Sequence, residues 1–102
     1  MSYRILITSR ALNDLREIRD YIAKNSPDNA ARFLQRTLEK FDLIEESPES
    51  HPKAPEDAIV PYTLRQYVMK PYRILYRVDG KSVQILHVRH GARQSAKPED
   101  LT

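Results

Sequence analysis

The dipeptide Asp79-Gly80, set between two alternating runs, is the feature that most limits what this chain can fold into. An Asp-Gly pair makes a two-residue turn whose twist suits antiparallel strands, with glycine taking the left-handed conformation. Tyr72 to Val78 and Ser82 to Arg89 are therefore predicted as paired strands. In the first of them Tyr72, Ile74, Tyr76 and Val78 share one face, while Arg73, Leu75 and Arg77 share the other. An apolar sheet face needs cover from another element. That cover lies upstream. Ala11, Leu12, Leu15, Ile18 and Ile22 recur at helical spacing, which predicts a helix from Arg10 to Lys24. Ala30, Ala31, Leu34, Leu38, Phe41 and Ile44 carry a second helix to about Glu46, with Phe33 on its flank. Ser9 is the expected cap of the first helix, and Asn25 is expected to end it in a left-handed conformation. Ser26-Pro27 restarts the chain as cap and first helical residue. So short a link predicts an antiparallel helical hairpin.

Tyr3 to Thr8 reads as a first strand and Thr63 to Met69 as another, separated from the helices by a proline-rich loop over 47–61. The order is β-α-α-β-β-β. The expected class is α+β, with the N-terminal strand and helical hairpin packed on one face of a mainly antiparallel sheet. At 102 residues this is one domain over 1–102, with 94–102 expected to fray.

The chain has no cysteine, which removes disulfides, thiol nucleophiles and cysteine-held metals, and fits a cytoplasmic setting. His51, His87 and His90 are scattered, so no metal site is expected, and no glycine-rich loop suggests a phosphate-bearing cofactor. Nor is any apolar run long enough to span a membrane. Charge is uneven. Residues 1–61 hold nine Lys/Arg and eleven Asp/Glu, whereas 62–97 hold eight Lys/Arg against Asp79 alone, a local balance of +7. Such a segment attracts an anionic partner, whether acidic protein or nucleic acid.

Three blocks together resemble the RelE/ParE family of type II toxins. They are Tyr72-Arg73-Ile74-Leu75-Tyr76-Arg77-Val78-Asp79-Gly80, then Val83 to Val88, then His90-Gly91-Ala92-Arg93. The stretch Ala11 to Ile22, the Ser26-Pro27 restart, the Ala30-Ala31 pair and Leu64-Arg65 fit the same pattern. Two activities follow from the resemblance. A RelE-like toxin is a ribosome-dependent, metal-independent mRNA endonuclease. Its phosphate-holding arginines would fall on Arg73 and Arg93, with His90 as a candidate proton carrier. A ParE-like toxin instead binds and inhibits DNA gyrase, without being an enzyme. No tyrosine stands in Gln94 to Thr102, where the nuclease would place one near Glu99, and no histidine follows His90. The resemblance therefore points to the ParE-like branch. Arg65, Arg73, Arg77, His90 and Arg93 are the expected target-binding residues, with the four arginines converging outside the core on one basic face. The resemblance also implies a ParD-like acidic antitoxin, received by Leu12, Tyr21, Phe33, Tyr62 and Tyr67. Neither cofactor nor metal is implied.

Overall fold

The computed structural model describes residues 3–91 and 96–101. In chain order it contains β1 (Arg4–Ile7), α1 (Ser9–Ala23), α2 (Pro27–Glu46), a 3₁₀ turn (Pro55–Ile59), β2 (Arg65–Met69), β3 (Tyr72–Asp79), β4 (Ser82–His90) and a second 3₁₀ turn (Pro98–Leu101). The sheet order is β1-β4-β3-β2. β1 runs parallel to β4, and the other pairs are antiparallel. Asp79 and Ser82 close the hairpin, and Gly80 holds φ 61°, where a side chain would strain the backbone. This is the α+β arrangement expected, two helices against a four-stranded mixed sheet.

The helix ends show what local chemistry decided. Thr8, not Ser9, caps α1: its hydroxyl oxygen accepts from the Ala11 amide at 3.2 Å. The same hydroxyl donates to the Ile85 carbonyl at 2.8 Å, so the cap also fastens the helix to β4. Ser9 lacks that second partner and becomes the first helical residue. Thr8→Ala is expected to lose about 1–2 kcal/mol, read from the shift of a urea unfolding midpoint. Asn25 does not turn left-handed. The capping residue is Lys24, at φ −58°, and no described non-glycine residue has positive φ. The amides of Asn25 and Ser26 both donate to the Ile22 carbonyl, which carries the chain straight into the next cap. There Ser26 accepts from Asn29 at 3.2 Å, with Pro27 behind it.

Two cores lie on opposite faces of the sheet. The larger joins Ala11, Leu15, Phe33, Phe41 and Ile44 of the helices to Met69, Ile74, Tyr76, Val83, Ile85 and Val88 of the strands. α2 is turned slightly from the expected stripe. Phe33 and Thr37 face inward, at 5% and 1% exposure, while Leu38 is 58% exposed. Phe33 thus belongs to the core, edge-on to Tyr72 at 5.2 Å, and not to a flank. The Tyr76 hydroxyl donates to the Pro48 carbonyl at 2.6 Å, tying the loop after α2 to the sheet; burial pushes this phenol up to about 12.

The smaller core corrects the expectation that the second face lies outside the core. Ala54, Leu64, Leu75, Leu86, Ala96 and Leu101 bury one another there, with Val60 and Tyr62 alongside. Leu75 and Leu86 would otherwise expose apolar area, and the proline-rich loop and residues 96–101 cover it. Those residues were expected to fray, yet Leu101 is only 2% exposed.

Candidate functional site

Arg73 projects from β3 onto the second face, beside the smaller core. Its guanidinium donates to both oxygens of Glu56, at 3.0 and 2.7 Å, and again to Gln66 Oε1 at 2.9 Å. Glu56 comes from the 55–59 turn, and its side chain is wholly buried. One of its oxygens also accepts the Ala96 amide at 2.9 Å. The Arg73 hydrogen bonds, aided by the Ala96 amide and opposed by burial, lower the Glu56 carboxyl from 4.5 to about 2. A forked guanidinium on a buried carboxylate is the strong, oriented form of this pairing. Nothing in the sequence pattern links Glu56 to Arg73, since the two lie 17 residues apart and in different elements.

The other expected cations are dispersed. Arg77 stands on the same face, its guanidinium 4.6 Å from the centre of the Tyr62 ring. The Tyr62 hydroxyl donates to the Leu101 carbonyl at 2.6 Å, and burial raises this phenol against a smaller opposing pull from Arg77. Arg65 lies elsewhere. It pairs in register with Tyr76, so it shares the helix-covered face, and it donates to the His51 carbonyl at 2.7 Å. Directly opposite residues in an antiparallel pair share a face, and that register overturns the convergence expected of Arg65 with Arg73 and Arg77. Arg93 lies outside the described residues. His90 stacks edge-on against Tyr72 at 5.6 Å.

A second polar cluster was not anticipated. β1 stops opposite Ile85 while β4 runs on to His90. Beyond that point Asp14 of α1 supplies the missing acceptor. Its Oδ2 takes the Val88 amide at 3.0 Å and pairs with His87 Nδ1 at 2.5 Å. Arg10 approaches the other oxygen at 3.4 Å, and Arg89 approaches His87 Nε2 at the same distance. Asp14, Ile18, Tyr21, Tyr72, Arg89 and His90 help line an open cleft of about 620 Å³ beside this cluster. Among the described residues, no three His, Asp or Glu side chains gather where a metal could sit.

Across the helices lies a smaller groove of about 280 Å³, lined by Ile7, Leu12, Leu15, Leu34 and Leu38, with Arg16 and Arg19 also on its wall. Of the expected antitoxin contacts, Leu12 lines this groove at 40% exposure and Tyr21, at 69%, lines the larger cleft. Tyr67 is half-buried against His51, and Tyr62 is half-buried on the second face. Phe33 is closed off in the core. The five residues do not form one surface.

The family model described as ParE toxin of type II toxin-antitoxin system, parDE, matches residues 5–95. The chain belongs to the ParE toxin family. It is thus a toxin of a type II toxin–antitoxin system within the wider RelE/ParE group. Toxin RelE2 of Caulobacter vibrioides is 38% identical to this ParE-family chain over 91 residues, covering 88% of this chain and 97% of that one. Among solved structures, the chromosomal ParDE toxin–antitoxin system from P. aeruginosa aligns with a TM-score of 0.72 and 25% identity, over 87% of this chain and 96% of that one. The RelBE2 toxin–antitoxin complex of Mycobacterium tuberculosis shares the fold at a TM-score of 0.58 and 24% identity, over 88% and 99% of the two chains.

Proposed function

We propose that this ParE-family toxin acts by binding DNA gyrase, without cutting RNA, and that a ParD-like acidic antitoxin neutralises it in the cytoplasm. The observation that carries the reading is the state of Arg73. An arginine that holds a scissile phosphate must turn its N–H groups and its charge toward the substrate. Here those groups are taken by Glu56 and Gln66. The sequence from Gln94 to Thr102 also lacks the tyrosine that an RNA-cleaving relative would use, and no histidine follows His90. A surface that recognises a protein needs shape and complementary charge, not an uncommitted arginine.

The antitoxin reading rests on the groove between α1 and α2. Leu12 and Leu38 are exposed there beside Arg16 and Arg19. An acidic amphipathic segment would bury those leucines and meet the arginines together. Solved neighbours of the same fold are toxin–antitoxin complexes.

Expression of the chain without a partner is expected to arrest bacterial growth, with filamentation and a DNA-damage response. The purified protein is expected to inhibit gyrase supercoiling, and a co-expressed acidic antitoxin to relieve both effects. Rapid cleavage of translated mRNA with gyrase unaffected would instead establish a RelE-like endonuclease. Normal growth at verified levels of soluble protein would remove toxicity altogether.

A further inference from the structure

The two edges of the sheet are finished differently. The outer edge of β2 is covered by the loop after α2. Lys53 bridges to Arg65, the Ala54 amide donates to the Leu64 carbonyl at 2.8 Å, and the Gln66 amide donates to the Pro52 carbonyl at 3.0 Å. Among the described residues, no strand lies beyond β1 at the other edge. The amides of Arg4 and Thr8 donate inward, to the Lys81 and Ile85 carbonyls. Backbone groups alternate along a strand, so Tyr3, Ile5 and Ile7 turn theirs outward. A side chain meets one of these groups: Glu45 of α2 accepts the Ile5 amide through Oε2 at 3.2 Å. Leu6 and Ile7 are exposed beside it, at 41% and 39%. An open, apolar edge is a template for another strand, and a charged side chain is a common way to blunt it.

The sequence of β1 suits pairing with itself. In an antiparallel pair about a two-fold axis at Ile5, that residue faces Ile5 of the second copy and Tyr3 faces Ile7. All the outward backbone groups then meet, each facing pair exchanging two bonds. Arg4 falls opposite Leu6, so the arginines are not directly opposed, and Tyr3 with Ile7 makes an aromatic and β-branched pair. We propose that β1 is a pairing edge for a second copy of this chain, and that Glu45 guards it. The guard acts in two ways. Glu45 occupies the Ile5 amide, and pairing about Ile5 brings the Glu45 carboxylates of the two copies toward each other. Asp42 and Glu46 stand within a turn of Glu45, and the last turn of α2 holds no base. An acidic antitoxin segment is turned away from this edge by the same charges, whereas Tyr3 to Thr8 contain no acid.

Sedimentation equilibrium on the purified full chain is the test. Each protomer must release its own Glu45 before pairing, so a cap closed about two-thirds of the time lowers apparent affinity by the square of its open fraction, roughly tenfold. Glu45→Ala should dimerise more tightly than wild type by at least that factor. Adding Leu6→Arg, which sets like charges opposite each other, should reverse the gain. The register has its own readout, because the chain lacks cysteine. Opposed residues that do not exchange backbone bonds sit about 4.5 Å apart at Cα, within disulfide reach. In the Glu45→Ala background, chains carrying Arg4→Cys should therefore join chains carrying Leu6→Cys on oxidation, in preference to their own kind. A Glu45→Ala chain that melts cooperatively yet dimerises no better than wild type overturns the proposal. So does disulfide formation that ignores the pairing of Arg4 with Leu6, or protection of the Ile5 and Ile7 amides from exchange only when an antitoxin is bound. Should Glu45→Ala fail to fold, Glu45→Gln keeps the shape without the charge, and it must likewise dimerise more tightly than wild type.

Discussion

Arg73→Ala is expected to destabilise this toxin by about 3–5 kcal/mol, because it strands a buried carboxylate without its partner. The Glu56 side chain is fully buried and accepts two bonds from Arg73. Its folded carboxyl lies near 2, against an ordinary 4.5. That depression is worth about 3 kcal/mol, of the same order as the mutational cost. The sign follows from the direction. A carboxyl lowered by folding stabilises the native state above about pH 4.5, and that contribution fades as pH falls toward 2. Wild type should lose stability across this window. The alanine variant has no cation to hold Glu56 ionised, so its penalty against wild type should shrink in acid. Urea unfolding at several pH values between 2 and 7 tests both statements. Arg73→Lys should fall between the two, since an ammonium cannot reproduce the fork. A melting curve for Arg73→Ala that matches wild type would show the pair to be dispensable. Any loss of toxicity in this variant must be read beside its stability, contrary to the sequence-based expectation of an arginine outside the core.

Asp14→Ala should cost about 2–4 kcal/mol, the sum of two buried groups left without a partner. One is the Val88 amide and the other is His87 Nδ1. Arg10, more exposed, adds little to the pair. Asp14→Asn keeps an acceptor for Val88 and should lose less. Hydrogen exchange at the Val88 amide gives a local readout that a general loosening would not single out. Unchanged protection at Val88 in the alanine variant would refute the role assigned to Asp14.

These two clusters mark where sequence reasoning stopped. Gly80, Ser26, Pro27 and the apolar rhythm of α1 act on their immediate neighbours, so their signals are local and were legible. Asp14 is different. Within α1 it sits among charged residues and reads as surface, and its partner His87 is 73 positions away. Phe33 and Leu34 are adjacent and both apolar, so periodicity allows either to lead. Contact with Tyr72 selects Phe33. The face of Arg65 depended on strand register, which placed it opposite Tyr76. Leu101 is a lone leucine in a polar stretch, and no periodic pattern marks its burial. Glu56 in a proline-rich loop gave no sign of its pairing with Arg73. The overall α+β order was legible; the assembly of the site, made from residues remote in the chain, was not.

The parallel pairing of β1 with β4 has a consequence for how this molecule comes into being. β1 is made before the other strands, yet its partners are Ser82 to Ile85. The smaller core closes only when Leu101 reaches Leu64 and Leu86. A nascent chain therefore holds neither core complete while the ribosome is still reading its middle. Translation stopped anywhere before Ser82 yields a helical hairpin with no strand for β1 to join and no Val83, Ile85 or Val88 to pack against. Such fragments expose their apolar faces and become substrates for proteolysis. Nonsense and frameshift alleles upstream of β4 should thus be silent, and toxicity should appear only with nearly all of the chain.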